Sequence, residues 1–118
     1  MLTSWSRLAT ALGARLTVVM QPSPELQPRR WSPEETELLG NYDAVSGMRE
    51  VFDRCKRDVL GWHYADMQAL AGELGFGWID INARLDSRRD GEWLHIDHIH
   101  MTDQGNQRAA EEILPALA

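Results

Sequence analysis

The sequence predicts an α/β domain in which helices are layered on a parallel sheet. Two short runs rich in β-branched and aromatic residues, Leu16-Thr17-Val18-Val19 and Trp78-Ile79-Asp80-Ile81, suit buried strands. A long stretch of helical spacing separates them, and the order helix, strand, helices, strand, helix is that of a layered α/β domain. Two strands make a poor parallel sheet, which normally has more strands and is covered on both faces. The chain therefore reads like the second half of a doubly wound fold.

The elements follow in order. Leu2, Trp5, Leu8, Ala9 and Leu12 fall at helical spacings, and Gly13 stands where a helix ends. Arg15 to Met20 is the first strand, stopped by Gln21-Pro22-Ser23-Pro24. With prolines at 22, 24 and 28, the chain to Arg30 is a loop. Ser32-Pro33-Glu34-Glu35 is a helix start, with a serine cap, proline at the first position and glutamate three residues after the cap. That helix is expected to break near Gly40-Asn41. A second helix, about Ala44 to Leu60, places Val45, Met48, Val51, Phe52 and Cys55 on one face. A third, His63 to Leu74, presents Met67, Leu70, Ala71 and Leu74 before Gly75 ends it. Phe76 to Ile81 is the second strand. A charged loop through Asp90-Gly91 leads to an extended piece, Trp93 to Ile96. The last helix runs from about Thr102 to Leu117, with Thr102 as cap and Asp103 facing the helix dipole.

At 118 residues and 13.4 kDa the chain reads as a single domain, 1–118. A hydrophobic share of 43% and a charged share of 25% are those of a soluble globular chain. The formal charge of −6 argues against a polyanionic partner such as nucleic acid. The pairs Arg29-Arg30 and Arg88-Arg89 are read as solvated loop charge. Cys55 is the only cysteine, which excludes an internal disulfide and fits a reducing compartment. The first residues lack the basic and apolar regions of a signal peptide, and no apolar run is long enough to span a membrane. A cytoplasmic location is expected.

The chemistry is concentrated in His95-Ile96-Asp97-His98-Ile99-His100-Met101-Thr102-Asp103, which holds three of the four histidines just before a helix. The carboxyl ends of strands are where α/β proteins place their sites. A general-base histidine needs one ring nitrogen free for a proton and an acceptor on the other to fix its tautomer. Asp97, three residues before His100 on a turning loop, can supply that acceptor locally. Asp97 and His100 are thus the candidate catalytic residues.

The pattern Asp97-x-x-His100-x-Thr102-x-x-Gly105 opening an amphipathic helix, with Ala109-Ala110-Glu111-Glu112-Ile113 behind it, resembles the last block of the SGNH, or GDSL, hydrolase superfamily. Leu12 to Pro22 is similar to the strand after that family's third block, and Leu74 to Ile81 to its last-but-one strand. The resemblance implies a partial flavodoxin-like α/β/α sandwich and a serine esterase cleaving an ester or thioester through an acyl-enzyme. It implies no cofactor. Asp97 would orient the ring, and His100 would act as general base and then as acid to the leaving group.

The family's Gly-Asp-Ser, glycine and Gly-x-Asn-Asp blocks do not occur. Gly40-Asn41-Tyr42-Asp43 looks superficially like the last of these but follows the wrong strand. None of Ser4, Ser6, Ser23, Ser32, Ser46 and Ser87 sits on a glycine-flanked strand-to-helix elbow. The expected partners are therefore a small ester substrate and a second segment, chain or copy that supplies the serine and completes the sheet. Two rival readings use the same residues. One is a metal site drawn from His95, His98, His100 and Asp97, in which an extended segment offers two ligands on one face and a third comes from elsewhere, such as His63. The other is a non-catalytic interaction domain. Trp31 and Trp93 flank loops where they would line an acyl pocket, and Trp62 lies beside His63.

Overall fold

A computed structural model describes residues 2–58 and 63–117, with the side chain of Cys55 left aside. The expected C-terminal end of the second helix at Leu60, the place of Cys55 on its face, and Trp62 lie outside the described residues. Six α-helices and two strands are described: α1 (Leu2–Ala11), β1 (Thr17–Val19), α2 (Pro33–Ser46), α3 (Arg49–Asp58), α4 (Tyr64–Glu73), β2 (Gly77–Ile79), α5 (Ile81–Arg84) and α6 (Asp103–Leu117). Short 3-10 turns lie at Pro24–Leu26 and Ser87–Arg89. The strands pair in parallel with Thr17 opposite Gly77, Val18 opposite Trp78 and Val19 opposite Ile79. The chain is thus α/β, with a two-stranded parallel sheet.

The core lies between α5, α6 and the segment before α6: Ile81, Leu85, Leu94 and Ala109 are buried together, with Met101 and Ile113 packed against them. Elsewhere the expected helix faces meet different fates. On α4, Ala71 is buried and Met67, Leu70 and Leu74 are half-buried, so that face does turn inward. On α1, by contrast, Trp5 and Leu8 are exposed, as is Leu12 just after it, and the helix buries no residue. The apolar stripe is present in the sequence, but nothing described covers it.

Two boundaries differ from expectation. Helix α2 continues through Gly40 and Asn41 and stops only at Gly47, whose φ of +63° supplies the left-handed cap. A single interior glycine costs only about 1 kcal/mol, and here the capping box and the burial of Leu39 outweigh it. The second helix consequently begins at Arg49, and Val45, 90% exposed on α2, is not part of its face. Downstream, the second strand ends at Ile79 because Asp80 caps a new helix. Its carboxylate accepts the amides of Asn82 and Ala83 (3.1 and 3.2 Å), so α5 replaces the start of the predicted loop.

The arginine pairs are not free surface charge. Arg29 is buried in a two-pronged pair with Glu35. Arg89 meets Glu92, Glu111 and Glu112 with a largely buried side chain. Arg30 and Arg88 are the exposed members, paired with Asp90 and Asp86. Among the described residues no helix is long and apolar enough to cross a membrane.

Candidate active site

Residues 94–102 form a closed turn at the entrance to α6. Thr102 N donates to Leu94 O and Ile96 N to His100 O, both at 2.9 Å, and His95 bridges Met101 in antiparallel fashion. Asp97 lies in this turn. Its Oδ1 accepts the amides of Ile99 and His100, both at 2.8 Å, which winds the next three residues into an Asx turn. Its Oδ2 lies 2.8 Å from Nδ1 of His100. The three-residue spacing thus allows one carboxylate to shape the turn and hold the ring.

Partial burial works to raise the Asp97 carboxyl. The ring of His100 and the two amides outweigh that effect and hold it below the ordinary carboxylate range. An ionised carboxylate only accepts, so Nδ1 of His100 carries the proton and Nε2 is the basic nitrogen. The His100 side chain is 72% exposed, whereas that of Asp97 is 27% exposed. The dyad therefore has its orienting half anchored and its basic half turned outward.

The remaining residues of the block have structural tasks. Thr102 Oγ1 accepts the amide of Gly105 at 2.9 Å as the cap of α6 and donates to Trp93 O at 2.8 Å. Gly105 is buried, and a Cβ there would lie 2.1 Å from the backbone oxygen of Leu94. Only glycine lets α6 approach the turn so closely.

The turn is held from beneath by Glu35, which the sequence marks only as a capping-box residue. Its Oε1 accepts the amides of Leu94 (3.0 Å) and His95 (2.9 Å), and its Oε2 accepts that of Ser32 (2.9 Å). The guanidinium of Arg29 grips both oxygens at 2.5 and 2.9 Å. Burial pushes the Glu35 carboxyl up, but Arg29 and the amides together bring it below its usual value. One buried carboxylate thereby joins the start of α2 to the start of the candidate site.

The histidines go separate ways. Arg29 Nε donates to Gln27 Oε1 (2.8 Å), which turns the Gln27 amide nitrogen toward Nε2 of His95 at 2.9 Å. His95 therefore accepts on Nε2 and carries its hydrogen on Nδ1, which is buried without a hydrogen-bond partner among the described residues. Burial drives its pKa down to about 4. His98 stands between two carboxylates, Glu25 at Nδ1 and Asp43 at Nε2 (2.9 Å), and stacks on Phe52 with ring centres 4.0 Å apart. His100 alone belongs to Asp97. The rival metal reading thus meets three divergent rings, and among the described residues no three metal-ligating side chains converge.

No serine hydroxyl among the described residues is hydrogen-bonded to His100. Ser32 caps α2, Ser23 Oγ donates to Glu25 (2.7 Å), and Ser46 Oγ accepts the Met48 amide. Glu25 and Asp43 had no sequence signal, because their relation to His98 spans 73 and 55 residues. Gly40-Asn41-Tyr42-Asp43 is helical, and its aspartate serves His98.

A cleft of about 510 Å³ beside His100 is lined by Pro22, Ile99, Met101, Asn106, Ala109 and neighbouring residues of α6. A second pocket of about 330 Å³ lies on the other side of Pro22 and Ile99. Neither Trp31 nor Trp93 lines these two cavities. Trp31 Nε1 donates to Pro24 O, and Trp93 Nε1 donates to His95 O beside a separate shallow cleft with Ile96 and Met101. In comparisons with known proteins, no family model matches the chain, and no curated protein matches it.

Proposed function

We propose that this chain is the aspartate- and histidine-bearing part of a serine esterase of the SGNH type, built on part of a flavodoxin-like sandwich. The observation that carries the reading is the Asp97–His100 dyad, in which a locally anchored carboxylate fixes the tautomer of an outward-facing imidazole. In the proposed reaction a serine hydroxyl attacks the ester carbonyl and gives its proton to Nε2 of His100. The imidazolium, steadied by Asp97, returns that proton to the leaving alcohol, and water then cleaves the acyl-enzyme by the same route.

The serine is contributed by a second segment or chain. Three features support this. Among the described residues the parallel sheet has two strands, which leaves a strand edge open to pairing. The exposed surface, 7584 Å², exceeds the roughly 6,500 Å² expected of a compact monomer of this mass. The radius of gyration, 16.0 Å, likewise exceeds about 13.5 Å. The exposed Trp5 and Leu8 of α1, with Leu12 just after it, give part of that surplus an apolar character.

The test is fluorophosphonate labelling of the purified chain, with the adduct located by mass spectrometry, alone and with a serine-bearing partner. The expected result is no adduct on the isolated chain and a His100-dependent adduct in the complex. An adduct on one of this chain's own serines would overturn the division of the site. Ester hydrolysis by the complex that survives His100→Ala undiminished would overturn the reading altogether. A non-catalytic interaction domain would instead retain its partner after that substitution and show no hydrolysis.

A further inference from the structure

The 330 Å³ pocket adjoining the dyad cleft has a chemical character that narrows the substrate. Its apolar walls are Met20, Pro22, Leu26, Phe52 and Ile99, and its polar residues include Ser23, Glu25 and His98. Those three are already engaged with one another. Ser23 Oγ donates to one Glu25 oxygen, the other Glu25 oxygen meets Nδ1 of His98, and Nε2 of His98 is held by Asp43. Groups whose hydrogen bonds are spent internally offer little to a polar ligand, because engaging it would break an existing contact. Gln21 and Lys56 also line the pocket; Lys56 forms no ion pair among the described residues, and the stem of a lysine is itself apolar.

Size and position add to this. The volume lies at the lower end of the range of small-molecule sites, enough for one small group. Pro22 and Ile99 line both this pocket and the cleft that His100 lines, so the two cavities are neighbours with that pair between them. A chain extending past Pro22 and Ile99 would have its head beside His100.

We infer that this pocket takes a short aliphatic chain, which makes the substrate an ester of such a chain rather than an acetylated sugar. The inference rests on the esterase reading for the word substrate, but the binding itself does not. The chain belongs to the acid or to the alcohol side of the ester, and the test separates the two.

The experiment is a titration of the isotopically labelled chain with sodium hexanoate, 1-hexanol, sodium acetate and N-acetylglucosamine, followed by NMR. Saturable shifts at Leu26, Phe52 and Ile99 are expected with a six-carbon ligand, at least about tenfold tighter than with acetate. Tighter binding of hexanoate that persists in Lys56→Met, where no ammonium can pair with its carboxylate, assigns the chain to the acyl side, and tighter binding of hexanol to the alcohol side. Ile99→Ser, at an exposed position that leaves folding intact, is expected to weaken the six-carbon ligand severalfold, and Leu26→Trp to abolish its binding by filling the pocket. Equal affinity for acetate overturns the inference. So does preference for the sugar, absence of six-carbon binding, or affinity unchanged in Ile99→Ser. Binding is read without turnover, so failure here leaves the fluorophosphonate result untouched, and a negative labelling result leaves this one untouched.

Discussion

The carboxylate of Glu35 accepts the backbone amide of His95 at 2.9 Å, across 60 residues of chain, and takes the amide of Leu94 with the same oxygen. This contact fixes where the turn bearing Asp97 and His100 begins. Since Arg29 is buried and is neutralised by this carboxylate, Glu35→Gln leaves its charge without a counter-ion. Loss of about 3–5 kcal/mol in stability is expected. Urea unfolding of the two proteins measures it, and a loss below 1 kcal/mol would show that the pair does not hold the turn.

Acid should weaken the fold through His95. Its folded pKa of about 4 lies below the ordinary 6.5 because burial penalises the charged ring. Between these values the unfolded chain binds the proton more readily. The stabilisation is therefore complete above pH 6.5 and is lost as pH falls toward 4, by roughly 3 kcal/mol across the window. Glu35, whose folded value is depressed, adds a second loss that begins only below its ordinary 4.5. Unfolding free energies at pH 7 and 4.5 test the first effect, and His95→Gln should flatten it.

Gly105→Ala would place a Cβ 2.1 Å from Leu94 O, against backbone that cannot swing aside. Helix α6 must then retreat from the turn, at a cost above about 1 kcal/mol. In addition to the lower melting temperature, the Thr102 and Asp97 amide resonances should shift, because the same turn carries both. An unchanged spectrum would remove Gly105 from the architecture of the site.

Asp97→Asn tests the dyad without disturbing its shape. An amide cannot hold the Nδ1-protonated tautomer as a carboxylate does, so ester hydrolysis by the proposed complex should fall by several orders of magnitude, up to about 10⁴. Stability should fall far less, since an asparagine oxygen can still accept the amides of Ile99 and His100. A kcat within tenfold of the parent would exclude Asp97 from the chemistry.

Much of this protein is local and was therefore legible in the residues. Ser32 and Glu35 satisfy each other's amides within one turn. The Asp97–His100 contact spans three residues and needs only the turn that Asp97 itself winds. The α4 face, the two strands and the Thr102 cap follow from periods and hydrogen-bonding groups that act over a few positions. Propensity misled where packing outweighed it, as at Gly40 inside α2 and at Asp80, which ends a strand by capping a helix.

The rest was decided by the tertiary structure. Sequence determined which residues shape the turn, which caps start α2 and α6, and which carboxylate holds His100, because those energies are set by neighbours along the chain. Only the fold decided that Arg29 is buried rather than solvated, that Glu35 reaches His95, and that His98 lies between Glu25 and Asp43. Such pairings depend on desolvation, and whether a charge loses its water is determined by the segments that close over it, not by the residues beside it.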